Sequence, residues 1–309
     1  MDNQPYLKSL HNIKRAIARK HASTRNGKTR IALQVGHCSN SVQAQDLADT
    51  ISKSLPTNAY MIITGCDGAC FSAPQIVATY PSEKQHRFTN VTPESTQFIL
   101  DKLKEPSVDQ HNFFSSQYRL TMDMCGYLDS NDIEDYIVHD GYSGMAHALS
   151  MSPEAIIEEV KSSGLRGRGG AYFPAALKWQ GASNIDKTPR YLVVNCEEGE
   201  PGVFKDRHLM EGVPHRILEG AIIAARASGI NEVYVYINAE ANLSTSRIEV
   251  AIDQAYNLGL LGNDILGSGF NLDVYIYRGA GGYVCGEETT LLNTMGGYRR
   301  EPRLKPPFP

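Results

Sequence analysis

Cysteine is scarce in this sequence, with six among 309 residues, scattered from Cys38 to Cys285. So thin a supply excludes a disulfide framework and makes a reducing cytosol the default compartment. Long hydrophobic runs are missing too. None spans a bilayer, and the basic N-terminal residues lack the apolar stretch of a secretory leader. Nor is there an excess of positive charge. The net charge of −4 disfavours nucleic acid as the main partner. At 41% hydrophobic content, the chain reads as globular and long enough for two domains.

Glycine, by contrast, is concentrated where it counts. Gly164-Leu165-Arg166-Gly167-Arg168-Gly169-Gly170-Ala171-Tyr172-Phe173 holds four glycines in seven residues, with two arginines among them. Backbone stripped of side chains can press against a ligand. Forked guanidinium groups suit phosphate. Phe173 offers a flat face, and Lys178 a point charge a few residues on. A helix over 152–163 precedes the loop, with Ser152 as its N-cap and Pro153 at its first position. No strand leads into the glycines, so the dinucleotide fingerprint is not met, and the Gly-Lys-Ser/Thr ending of a P-loop is absent. An anionic, nucleotide-like ligand is one reading. The other is an RGG-like basic loop for nucleic acid, which a single copy and sparse aromatics support poorly.

Residues 1–30 form a basic N-terminal segment containing Lys14, Arg15, Arg19, Lys20, Arg25, Lys28 and Arg30, with a short helix around Ile13 and Ile17. A small α/β module follows over 31–105. Its strands fall at 31–35, 59–63 and 76–80, and its helices at 42–55 and 93–103. It carries Cys38 just after the first strand, and Cys66 and Cys70 as a pair. Residues 106–140 read as a polar connection with a short helix at 130–136. Another short helix falls at 144–149. Cys125, within the connection, reads as a packed small residue.

The remainder, 141–309, alternates strand and helix. Strands are expected at 190–195, 232–237 and 272–277, and helices at 214–228 and 244–257, which implies a mostly parallel sheet covered by helices. The first strand ends in Cys196-Glu197-Glu198-Gly199-Glu200-Pro201-Gly202. Carboxylates this close repel unless hydroxyls, a ring N–H or basic side chains pair with them. A solvated acidic turn is the plainer alternative. The last strand runs into a second glycine turn, Arg278-Gly279-Ala280-Gly281-Gly282-Tyr283. A helix is expected from Val284 on, its N-terminal N–H groups suited to phosphate or an acceptor-rich ring.

Both loops together resemble the flavin-binding, NADH-oxidising subunit of bacterial complex I and its relatives in NAD-reducing hydrogenases and NAD-dependent formate dehydrogenases. The likeness runs from about 122 to 309. Its motifs are Ser163 to Ala171, Asn195 with Glu198 to Gly202, Lys205-Asp206-Arg207, Arg278-Gly279-Ala280, Cys285 to Thr289 and Pro302 to Pro309. The module at 31–105 resembles the thioredoxin-like [2Fe–2S] domain fused to such subunits. That cluster takes four thiolates. Leu33, Gln34 and Val35 stand where a fourth cysteine is expected, so Cys38, Cys66 and Cys70 make an incomplete set, to which His37 is a conceivable addition, and the module reads as degenerate and kept for its shape.

The resemblance implies a Rossmann-like parallel sheet with flanking helices, preceded by the thioredoxin-like module. It implies FMN held by Gly167, Arg168, Gly169, Lys178, Asn195, Glu197, Glu198, Gly286, Glu287 and Glu288. NADH falls to Phe173, Glu200, Tyr283, Lys305 and Phe308. No residue acts as a catalytic acid or base; Glu198 and Glu288 orient, and a hydride passes from NAD(P)H to FMN. Electrons go on to iron–sulfur partners of a larger redox complex, cytoplasmic or peripheral to the inner membrane through those partners. Four departures stand out. Tyr172 replaces a glycine, Glu197 an aspartate, Gly181 a second stacking phenylalanine, and Asn238-Ala239 an Arg-Gly pair. The family's ubiquitin-like domain and its [4Fe–4S] cysteines are not in this sequence, so the chain reads as C-terminally truncated. The alternatives are a catalytically silent relative serving nucleotide binding or assembly, and a poorly folding fragment.

Overall fold

The computed structural model describes residues 5–103 and 112–308. The chain divides into two units: Lys14–His139 with His208–Pro214, and Asp140–Arg207 with His215 onward plus the first residues of the N-terminal helix. That helix, α1 (Pro5–Arg25), is 21 residues long rather than short, because Leu10 and Ile17 give it a buried edge.

In the unit of Lys14–His139, β1 (Thr29–Gln34) leads through α2 (His37–Asn40) and α3 (Ala44–Lys53) to β2 (Ala59–Thr64). Then come β3 (Ile76–Thr79), β4 (Gln85–Phe88), α4 (Thr96–Lys102) and α5 (Ile133–Val138). The sheet order is β2-β1-β3-β4, with β1 parallel to β2 and antiparallel to β3. This is the expected thioredoxin-like arrangement of a βαβ unit followed by a hairpin and a helix. Its core is Ile31, Leu33, Val35, Leu47, Ile51, Ile76, Phe88 and Ile99. Two details differ from the sequence reading. Gln85-His86-Arg87-Phe88, too polar to announce a strand, forms β4 against β3. The helix at 93–103 is a 3-10 turn, Pro93–Ser95, followed by α4. The expected connection over 106–140 lies in part outside the described residues; its described part includes α5, capped by Asp132 accepting from Glu134 N at 2.9 Å.

The other unit opens with α6 (Ser143–Leu149), α7 (Pro153–Ser162) and α8 (Ala175–Ser183). Ser152 caps α7 as expected, its Oγ accepting from Ala155 N at 3.2 Å. Strand β5 (Leu192–Cys196) is followed by α9 (Lys205–Gly212), α10 (Pro214–Ser228), β6 (Glu232–Ile237), α11 (Asn242–Asn257), β7 (Asp273–Arg278) and α12 (Glu288–Met295). The three strands are all parallel, in the order β5-β6-β7. Buried Val233, Val235, Ile237 and Val274 line one face, while tyrosines 234, 236, 275 and 277 share the other. The fold is therefore α/β, with a parallel sheet and flanking helices.

Candidate functional site

Strand register sets the site. Cys196 pairs with Ile237, and Ile237 with Arg278, so three strands end side by side and each passes into a turn. In an open parallel sheet this edge is where ligands bind. Glu197 pins the three turns together. Asn238 donates to its Oε1 at 2.6 Å, and its own N–H reaches Asn195 Oδ1 at 3.2 Å. Its Oε2 lies against Gly279, where an added Cβ would stand 2.6 Å from that oxygen and 2.8 Å from the Tyr236 ring. Glu197 Oε2 and the Tyr236 hydroxyl are both buried without a hydrogen-bond partner. Burial pushes the Glu197 carboxyl above the usual range, against the Asn238 hydrogen bond and the charge of Arg207.

Two of the expected flavin-site carboxylates turn out to cap helices. Glu198 accepts from the backbone N–H groups of Lys205 at 2.6 Å, Asp206 at 2.9 Å and Arg207 at 3.0 Å, at the start of α9. Glu287 Oε2 accepts from Thr289 N and Thr290 N, each at 2.9 Å, and from the Thr289 hydroxyl at 2.6 Å. Burial alone would raise the Glu287 carboxyl, but these bonds and Lys305 bring it down to about 2. This corrects the expectation of a helix from Val284 with free donors. Tyr283–Gly286 is a 3-10 turn, α12 begins at Glu288, and its first donors are held by Glu287. A carboxylate at the N-cap satisfies the same N–H groups that an external anion would take.

Around that cap the structure gathers residues distant in sequence. Lys178, from α8, meets Glu288 Oε2 at 2.8 Å. Lys305 meets Glu287 Oε1 at 3.0 Å and also bonds Glu288. Asn195 Nδ2 donates to the Gly286 carbonyl at 2.7 Å. Lys178 and Lys305 hold the Glu288 carboxyl below the usual range, and the two glutamates raise Lys305. Lys178, Asn195, Gly286, Glu287, Glu288 and Lys305 thus form one connected cluster.

The first glycine loop is a short flap. Gly167 N donates to Phe173 O at 2.9 Å and Ala175 N to Leu165 O at 3.0 Å, leaving 168–172 as the exposed tip. Tyr172 has φ 54°, a left-handed conformation that favours glycine and is strained for an aromatic residue. The Arg166 and Arg168 guanidinium groups lie 5.0 and 5.7 Å from its ring. A Cβ added at Gly169 or Gly170 meets nothing within 4 Å, so the flap leaves open space beside its backbone.

A cavity of about 320 Å³ opens between the turn 198–203, Arg207, Asn238 with Glu240, and the turn 281–283. Of the five residues expected to meet NADH, Glu200 and Tyr283 line it. Phe173 and Phe308 are exposed elsewhere, 54% and 75% accessible, and Lys305 belongs to the carboxylate cluster. Gly167, Arg168 and Gly169 sit on the flap and do not line the cavity. Sequence reasoning missed Arg207, Asn238 and Glu240 as site residues. The end of β6 and the Lys205-Asp206-Arg207 run were the signals available.

In the thioredoxin-like unit, Cys38 and Cys70 are exposed and Cys66 is half-buried. Burial pushes the Cys66 thiol up to about 12, with Asp67, Cys70 and Cys38 adding to it. Leu33, where a fourth ligand is sought, is a fully buried strand residue. Beside it Gln34 accepts from Gln75, and Asp67 pairs with Arg87 at 2.8 Å, closing a buried polar network. Among the described residues, one trio of His, Cys, Asp or Glu ligand atoms lies within 4.8 Å of one another: His21, Asp132 and Glu134. Lys20 and Arg25 already neutralise its carboxylates, at 2.8 and 3.0 Å.

The family model described as Nuo51 FMN-binding domain matches residues 160–309. The chain is 49% identical over 179 residues to an NADH-quinone oxidoreductase subunit of Aquifex aeolicus, a match covering 58% of this chain and 42% of the relative. It is 47% identical over 193 residues to the NADP-reducing hydrogenase subunit HndC of Solidesulfovibrio fructosivorans, covering 62% and 39%. The matches thus span about two-fifths of these relatives' length. In fold, the chain is similar to an NAD+-reducing [NiFe]-hydrogenase crystal structure, with a TM-score of 0.52 at 23% identity, over 99% of this chain and 56% of that one.

Proposed function

We propose that this chain, whose residues 160–309 match the Nuo51 FMN-binding domain, is the flavin-bearing, NAD(P)H-oxidising subunit of a larger redox complex. The observation that carries the reading is the Lys178–Glu288–Lys305 cluster beside Asn195 and Gly286, in which Lys178 and Glu288 meet across 110 residues of sequence. The residues fit a flavin nucleotide. Open space beside the backbone at Gly169 and Gly170 admits a planar ring, Arg168 and Lys178 supply positive charge, and Asn195 stands at a strand end. Glu197 and Glu198 hold the surrounding turns.

Bound FMN supplies the hydride acceptor. Everything else here is positioning: the chain stacks, orients and keeps water out. We assign Phe173, Tyr283 and Phe308 as flat faces for NADH and Glu200 and Lys305 as polar contacts; Glu200 and Tyr283 share the cavity, and the other three would have to meet the ligand beyond it. Glu198 and Glu288 keep the donors and cations around them in place. We assign the segments as 1–30, 31–105, 106–140 and 141–309, with the module at 31–105 kept for its shape rather than for a cluster. The onward acceptors are iron–sulfur partners, and no helix among the described residues is long and apolar enough to cross a membrane. The proposed compartment is the cytoplasm.

The test is the visible spectrum of the purified chain reconstituted with FMN, followed by anaerobic NADH. Bleaching of bound flavin supports the reading. A chain that takes up no FMN refutes it. Bound flavin that NADH leaves oxidised favours the second reading, a silent nucleotide-binding relative, to which the strained Tyr172 between two arginines lends support.

A further inference from the structure

The cavity at the sheet's carboxyl edge contains a cation that the fold leaves unused. Arg207 lines it, half-buried, in the first turn of α9. Its backbone N–H caps onto Glu198, but its Nε is sealed from solvent with no hydrogen-bond partner. No carboxylate among the described residues comes within ion-pairing distance of its guanidinium; the Glu197 carboxyl feels it at longer range. A buried guanidinium nitrogen without an acceptor is unfavourable, and the Nη atoms, which are not sealed in this way and carry no hydrogen bond among the described residues, are where an acceptor in the cavity can reach the group.

The rest of the lining has the opposite need. Glu200 and Glu240 stand at the mouth with no hydrogen-bonded partner for either carboxylate among the described residues, and they call for donors. Between them the wall is bare backbone: Gly281 and Gly282 at φ 74° and 122°, and Gly199, whose added Cβ would come within 2.7 Å of the Gly282 carbonyl. A ligand that brings an anion to one end and hydroxyl groups to the other satisfies both sets. Phosphate joined to a sugar or ribityl chain has that chemistry.

We propose that Arg207 is the phosphate-ester receptor of this cavity, with Glu200 and Glu240 accepting from the hydroxyls of the same ligand. The inference rests on the nucleotide-binding reading above and adds a residue and a subsite to it. The phosphate ester has two possible sources, the flavin mononucleotide or the dinucleotide. Glu240, at the carboxyl end of β6, occupies the kind of position from which an acidic side chain meets a ribose hydroxyl.

The experiment compares wild type, Arg207→Gln and Arg207→Lys, in the full chain, by titration with FMN, riboflavin, NADH and inorganic pyrophosphate. Loss of a charged, bidentate contact is expected to weaken the phosphate-bearing ligand at least about tenfold in Arg207→Gln. Riboflavin affinity should stay unchanged, and Arg207→Lys should recover part of the loss. A drop confined to FMN assigns the flavin phosphate; a drop confined to NADH assigns the dinucleotide. Unchanged affinity for FMN, NADH and pyrophosphate in Arg207→Gln overturns the proposal. So does an equal loss of riboflavin, which would make Arg207 a structural residue. If wild type takes up neither FMN nor NADH, the functional reading falls, and pyrophosphate binding that depends on Arg207 still decides whether the anion site exists.

Discussion

Lys178 and Glu288 meet at 2.8 Å although 110 residues separate them. The contact ties α8, just beyond the glycine flap, to the first residue of α12. Lys178 is 63% exposed, so the pair contributes little to stability, under about 1 kcal/mol. In the proposed function, its place beside the flap puts it at the flavin site. Lys178→Met is therefore expected to lower FMN affinity about tenfold while leaving the melting temperature nearly unchanged. A flavin titration alongside a thermal melt checks it, and undiminished affinity would remove Lys178 from the site.

The Glu287 cap gives a pH signature. Its carboxyl is brought to about 2 in the folded chain, below its ordinary value near 4.5. A depressed acid stabilises the fold fully above its unfolded value, and the contribution is lost as pH falls through the folded one. Protection of the Thr289 and Thr290 amides from hydrogen exchange should thus persist at pH 4 and decline between about 4 and 2. Glu287→Ala should remove that protection at every pH, at a cost of about 1–2 kcal/mol. Protection lost already at pH 5 in the wild type would contradict the assignment.

The parallel sheet was legible in sequence because period-2 runs such as Glu232–Ile237 and the alternation of strand and helix carry their own signal, whereas the thioredoxin-like order came from the resemblance of the 31–105 layout. The β4 strand was not, since Gln85-His86-Arg87 owes its conformation to pairing with β3 rather than to its own propensity. At the site, the glycines, Glu200 and Tyr283 were visible as residue types. What hid was allegiance: nothing in the string Glu197-Glu198 tells that one carboxylate pins three turns while its neighbour caps α9. Arg207 was hidden for the converse reason, because its place in the Lys205-Asp206-Arg207 run says nothing of burial until a cavity is seen beside it.

Tyr172 sets strain against contact. A non-glycine residue at φ 54° is destabilised by about 1–2 kcal/mol. The two guanidinium contacts on its exposed ring return about 0.5–1 kcal/mol each. Tyr172→Gly should accordingly leave the melting temperature within about 3 °C of wild type. If the ring obstructs NADH, the variant will also show faster anaerobic bleaching of bound flavin by NADH. An unchanged rate would clear Tyr172 of any part in access.

The cysteines should separate by reactivity. Cys38 and Cys70 are exposed, whereas Cys125, Cys196 and Cys285 are buried and Cys66 is held protonated, its thiol up to about 12. Reaction requires the thiolate, which at pH 8 is about one part in ten thousand for such a group. Iodoacetamide followed by peptide mass spectrometry should label Cys38 and Cys70 first, with Cys66 lagging despite its partial exposure. Labelling of Cys66 at the rate of Cys70 would show that burial does not govern it.

Glu197 offers the sharpest contrast between shape and charge. Its carboxyl is raised by burial, so its contribution to stability is full below the ordinary value near 4.5 and fades as pH rises through the folded one. Gln in its place keeps an acceptor for Asn238, bonded at 2.6 Å, and carries no charge to bury. The stability of Glu197→Gln relative to wild type is therefore expected to grow from pH 5 to pH 8 in denaturant titrations. Gly279→Ala probes the same spot by volume instead. Its methyl would sit 2.6 Å from Glu197 Oε2 and 2.8 Å from the Tyr236 ring, and crowding of this kind destabilises by about 1–3 kcal/mol. Because the clash is steric, that loss should be the same at pH 5 and pH 8. If both variants shift stability in parallel across pH, charge is not what Glu197 contributes, and its place among the three turns is one of packing alone.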